Sequence, residues 1–215
     1  RLASVGAGGL PTNFQLALSN AERNHWRSDF PEVGRGGSKA WLWEQAGLAS
    51  KLITNDIVRT VALEFDYVDV HGDRPEQLFR AQAAQVSNPL SKLIASLKSA
   101  GVWNETVIAI FTTDGGRGME ANSFGSKGKN GLIMAGGAVK GGYYGNVTNQ
   151  GTRYFYHRPN DSGNPIPDGV SNNDKRVAGK DVWMTLMQAL RMDMSLARSF
   201  PDTKDAKVLN YMLKS

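Results

Sequence analysis

The chain contains no cysteine, which removes disulfide cross-links, thiolate nucleophiles and cysteine-based zinc sites together. It contains no run of about 18 or more apolar residues, so a membrane-spanning helix is excluded. Nor does it gather charge of one sign. Its 25 Lys and Arg residues against 20 Asp and Glu leave a net charge of +5, but the cations are scattered and never form a block. That distribution argues against nucleic acid as a partner. Histidine is scarce as well: only His25, His71 and His157 are available, and no Gly-x-Ser-x-Gly elbow exists, so a Ser-His-Asp triad has little to be built from. Gly125-Ser126-Lys127-Gly128-Lys129-Asn130 lacks the spacing and the Lys-Ser/Thr ending of a phosphate-binding P-loop. The chain opens Arg1-Leu2-Ala3-Ser4 without a signal peptide or a Met start, which reads as a mature or cleaved end.

What remains is ordinary for a folded domain. Hydrophobic residues make up 40% and charged residues 21% of 215 positions, enough to bury one core. Residues 1–38, rich in Gly, Asn and Ser, read as an irregular arm with one helix near Thr12–Asn24. The main domain is expected over 39–215. Trp41, Leu42, Gln45, Leu48 and Leu52 fall near helical spacing. Ile57 to Phe65 is rich in β-branched residues and predicts a buried strand. Pro75 then stands where a helix should start, and Leu78, Phe79, Ala83, Val86, Leu90, Leu93, Ile94 and Leu97 carry an apolar stripe towards Gly101. Pro89 should kink or split that helix. Val107 to Phe111 is a short unbroken apolar run of the kind found in parallel strands covered on both faces. Strand, helix and strand together predict a βαβ unit, and the fold class is α/β with a mostly parallel sheet flanked by helices. Another apolar run covers 132–135, a polar loop covers 158–176, and two helices are expected, one near 180–191 with Val182, Trp183, Leu186, Met187 and Leu190 on one face, and one near 203–213. Met184, Met187, Met192 and Met194 read as core filling.

Ligands in open α/β sheets collect beyond the carboxyl ends of strands, and two acidic clusters fall there. Asp69-Val70-His71-Gly72 follows the first expected strand, and Thr112-Thr113-Asp114-Gly115-Gly116-Arg117 follows the second. An Asp-x-His pair with a further carboxylate suits zinc, manganese or magnesium. The same acids equally serve to shape turns and start the next helix. Three sequons, at Asn104, Asn146 and Asn160, carry little information.

The order of these features resembles the DUF1501 family, bacterial relatives of alkaline phosphatases and sulfatases that are often exported by the twin-arginine route. The resemblance covers residues 57–145 best. The family's Trp-Asp-Thr-His loop is matched by Asp69-Val70-His71, and its Ser-Glu-Phe-Gly-Arg by Thr113-Asp114-Gly115-Gly116-Arg117. Asn122 matches the family Asn, and Gly136-Gly137-Ala138-Val139-Lys140-Gly141-Gly142 matches its glycine turn. The resemblance implies an alkaline-phosphatase-like fold, export to the periplasm or beyond, and a divalent metal held by Asp69, His71 and Asp114. Its substrate would be a small anionic ester held by Arg117. Two features depart from the pattern. Lys129-Asn130 stands at or near the place of a ligating Asp-His, and residues 1–40 lack the family's first strand, a further metal carboxylate and a nucleophile. The expectation is therefore either a fragment whose N-terminal half lies elsewhere or a reduced relative acting as a structural, interacting or self-associating protein. A third reading has Lys127, Lys129 and Arg117 replacing the cations around a phosphate or sulfate.

Overall fold

Ser19-Asn20-Ala21-Glu22 is a capping sequence, and it starts helix α1 (Asn20–Arg27). The Glu22 backbone N–H donates to Ser19 Oγ at 3.3 Å, and the Ser19 N–H donates to Glu22 Oε2 at 2.6 Å. Two otherwise orphaned donors are satisfied reciprocally. The structure, a computed structural model, describes residues 14–27, 41–64, 76–111, 132–150, 153–166 and 177–215. They fall in two units, Arg1–Val102 and Trp103–Ser215, taken in turn below.

In the first unit, α1 packs on α2 (Leu42–Thr54), and α2 packs on α3 (Glu76–Ser99). Leu42, Ala46 and Ala49 from α2 and Leu90, Leu93 and Leu97 from α3 repeat at three and four residues, and all are buried with Trp26 and Trp43. This is the stripe geometry by which amphipathic helices share a core. Ser50 Oγ and Ser96 Oγ meet at 2.7 Å across the α2–α3 contact. Helix α3 runs through Pro89, which is fully buried, and is not split there as its sequence predicts.

Both α2 and α3 end in the same way. The Val102 N–H donates to Leu97 O and the Gly101 N–H to Lys98 O, with Gly101 at φ 74°. At the end of α2, the Ile57 N–H donates to Leu52 O and the Asp56 N–H to Ile53 O, with Asp56 at φ 58°. This paired closure needs a left-handed residue, normally glycine. Aspartate fills the position in α2 and makes an ion pair with Arg59 at 3.1 Å.

The expected strand over 57–65 is not formed among the described residues. Residues 57–64 continue without regular structure, and Gln45 on α2 holds the end of the segment. Its Nε2 donates to Glu64 O at 2.8 Å, and its Oε1 accepts the Glu64 N–H at 2.9 Å. A side-chain amide thus makes the pair of hydrogen bonds a neighbouring strand would make.

The second unit opens with a 3₁₀ turn, Trp103–Glu105, followed by β1 (Val107–Phe111). Strand β2 (Leu132–Gly136) pairs with β1 antiparallel, from Val107 opposite Gly136 to Phe111 opposite Leu132. A second antiparallel sheet is the meander of β3 (Asn146–Gln150), β4 (Arg153–Pro159) and β5 (Pro165–Ile166). The mostly parallel sheet is therefore corrected: the fold is mixed α/β, and its sheets among the described residues are small and antiparallel. An apolar run such as Val107–Phe111 reports burial, not strand direction. Its residues here are half-buried and Phe111 is exposed. The polar region expected as loop from residue 158 begins with the end of β4 and contains β5.

Helix α4 (Gly179–Ala189) and the short α5 (Met194–Ser199) complete the unit with a 3₁₀ turn at Asn210–Met212. Met184, Ala197 and Ala206 form a buried cluster, with Met187, Met194 and Val208 against it. The methionines fill core as expected, except that Met192 is exposed. The helix expected over 203–213 is absent. In its place residues 201–205 form turns and 206–209 have no regular structure, and α4 captures this segment through side chains.

Candidate functional site

The five-pair register of β1 and β2 fixes where the second acidic cluster begins and ends. Phe111 and Leu132 face each other at one end of the ladder, so residues 112–131 leave and rejoin the sheet at the same point. Asp114, Arg117, Lys127 and Lys129 are in that segment, with Asn122 and Asn130, and all lie outside the described residues. Asp69 and His71 lie outside them too, in the stretch 65–75 ahead of α3. The expected ligand set is thus located by sequence position alone. Among the described residues, no three His, Asp or Glu side chains are grouped as a metal ion requires. His157 is half-buried in β4 opposite Asn146, within the middle strand of the meander.

The glycine turn after β2 is described, and its chemistry is structural. A Cβ on Gly136 would lie 2.3 Å from Thr106 O, and one on Gly137 would lie 2.3 Å from Asn104 Cα. The two glycines let the chain return directly against the 3₁₀ turn, where the Gly137 N–H donates to Trp103 O at 3.1 Å. Beyond them, Val139 bridges Leu213, the Lys140 N–H donates to Met212 O at 2.8 Å, and the Lys214 N–H donates to Ala138 O at 2.9 Å. The turn is a clasp on the C-terminal segment. A Cβ on Gly141 would meet nothing within 4 Å among the described residues.

A polar cluster that the sequence reading missed lies on α4. Asp181 is buried, with Oδ2 accepting the Ala178 N–H and Oδ1 accepting the Lys207 N–H, each at 2.9 Å. One turn later, Thr185 Oγ1 donates to Asp181 O at 2.6 Å and accepts the Leu209 N–H at 2.9 Å. Side chains four apart on a helix are neighbours on one face, so Asp181 and Thr185 together hold the segment 207–209 to α4 without a sheet. It also sets the rotation of the helix. Asp181, Met184, Thr185 and Ala189 point inward, whereas Trp183 and Leu190, expected on the buried face, are exposed. The only signal in the sequence is a polar pair at i and i+4.

Beside this cluster, Lys207 Nζ reaches Asp161 Oδ2 at 2.5 Å, and that contact holds the ammonium above its usual value. Tyr144 and Tyr211 pack at 4.7 Å between ring centroids, and Tyr144 OH donates to Tyr211 O at 2.7 Å. The Tyr211 hydroxyl is buried and has no hydrogen-bond partner among the described residues. Burial first, and then the negative charge available at Tyr144, Asp161 and Asp181, pushes its pKa up to about 12.

These features belong to a recognisable class of chain. A family model, the protein of unknown function DUF1501, matches residues 22–159. The match spans more than half of the sequence, and the protein belongs to the DUF1501 family. It runs from α1 to the end of β4, wider than residues 57–145, and leaves α4 and its captured segment beyond it. No curated protein and no solved structure matches the chain.

Proposed function

We propose that this DUF1501 protein binds phosphate or sulfate monoesters at the segment joining β1 to β2 and hydrolyses them with a divalent metal. The observation that carries the reading is the pairing of Phe111 with Leu132. Asp114 is three residues from Phe111 and Lys129 three from Leu132. Covalent reach of about 3.3–3.6 Å per residue keeps each within about 11 Å of its strand end. A carboxylate and a cation are thereby tethered to one end of the same ladder. Arg117 supplies a planar fork that pairs with two oxygens of a tetrahedral anion, and Lys127 and Lys129 add positive charge on the returning stretch.

The donor set fits a borderline-hard divalent ion. Asp69 and Asp114 offer carboxylate oxygens and His71 an imidazole nitrogen, three ligands of the kind that leave one position for water on zinc or manganese. Such an ion, when bound, polarises an ester oxygen and acidifies water. The protein's own residues orient the anion and neutralise its charge. An alkaline-phosphatase-like ancestry and export of the chain belong to the same proposal. They are supported by the DUF1501 motifs at Asp69-Val70-His71 and Thr113 to Arg117, and export accords with the lack of cysteine.

One observation favours a second reading, a binding protein of the same fold without turnover. Lys129-Asn130 stands where the family pattern places Asp-His, and an ammonium there repels a second cation. Hydrolysis of aryl and alkyl phosphates and sulfates, measured with and without chelator and after adding back zinc or manganese, separates the two. Turnover that a chelator abolishes and metal restores supports the hydrolase. Its absence in folded, metal-loaded protein leaves the binding reading.

A further inference from the structure

We draw no further inference here: the strongest candidate, the exposed and stacked Phe111–Trp183 pair at the end of β1, carries nothing because no described residue shows what covers it.

Discussion

Replacing Gly137 by alanine tests the clasp that joins the glycine turn to the C-terminal segment. The added Cβ would lie 2.3 Å from Asn104 Cα and 2.9 Å from the carbonyl carbon and oxygen of the same residue. Carbon contacts are comfortable at about 3.5–4.0 Å, so the backbone must separate by more than an ångström. No flexible side chain can yield in its place. Overpacking of this kind costs about 1–3 kcal/mol. The Gly137 N–H to Trp103 O bond, 3.1 Å long, is stretched beyond use, adding about 0.5–1.5 kcal/mol. Alanine recovers about 0.4–1 kcal/mol by narrowing the unfolded ensemble. The net is a destabilisation of about 0.5–4 kcal/mol. Gly141→Ala is the internal control, because its Cβ meets nothing and only the unfolded-state gain remains. Urea unfolding followed by tryptophan fluorescence measures both. If the two variants agree within about 0.5 kcal/mol, the scatter of ordinary surface substitutions, the close approach does not constrain the fold and the reasoning fails.

Further expectations concern the two helix closures, the α4 capture and Tyr211. Asp56 in α2 and Arg191 after α4 occupy left-handed positions, at φ 58° and 56°. Each replaced by glycine should gain up to about 1 kcal/mol in urea unfolding, since a non-glycine residue there costs about 1–2 kcal/mol and glycine returns part of that in unfolded-state entropy. Loss at both sites would contradict the cap geometry. Thr185→Val leaves the Leu209 N–H without its acceptor and should cost about 1–3 kcal/mol, with faster amide exchange at Leu209 as the local signature. Tyr211→Phe removes a buried hydroxyl that has no partner among the described residues and should be neutral or stabilising at pH 7. Because the folded phenol is raised from 10 to about 12, its neutral form stabilises the fold below pH 10, and that contribution is lost as pH rises to about 12. Melting temperature should therefore fall less between pH 10 and 12 in Tyr211→Phe than in the wild type. Equal slopes would refute the assignment.

Helices with a single apolar stripe were legible in the sequence. Leu42–Thr54, Glu76–Ser99 and Gly179–Ala189 lie within a few residues of where spacing puts them. Helix α1 was less well placed because its start is set by the Ser19–Glu22 reciprocal bonds, which act over a single turn. Strand direction was not legible. Val107–Phe111 has the composition of a covered parallel strand, but its ladder partner Leu132–Gly136 runs antiparallel to it. Ile57–Glu64 has strand composition and no ladder, because one glutamine side chain satisfies its end. The inward face of α4 was legible in part: Leu186 is buried and Met187 packs on the core cluster, whereas Trp183 and Leu190 are exposed. Hydrophobicity selects Trp183 and Leu190, whereas the hydrogen bonds of Asp181 and Thr185 decide the rotation. Of the site, the motifs gave the family and the residue types, and the strand register gave the tether. Asp69, His71, Asp114, Arg117, Lys127 and Lys129 lie outside the described residues.

The central claim is that Asp69 and His71 hold a divalent metal. It is tested most directly by elemental analysis of the purified, folded chain after equilibration with zinc or manganese and removal of free ions. About one metal per chain is expected from a three-ligand site, falling to background in Asp69→Ala and His71→Ala variants that keep the wild-type circular dichroism. Wild-type protein that stays folded and retains no metal, or variants that retain as much as the wild type, would contradict it.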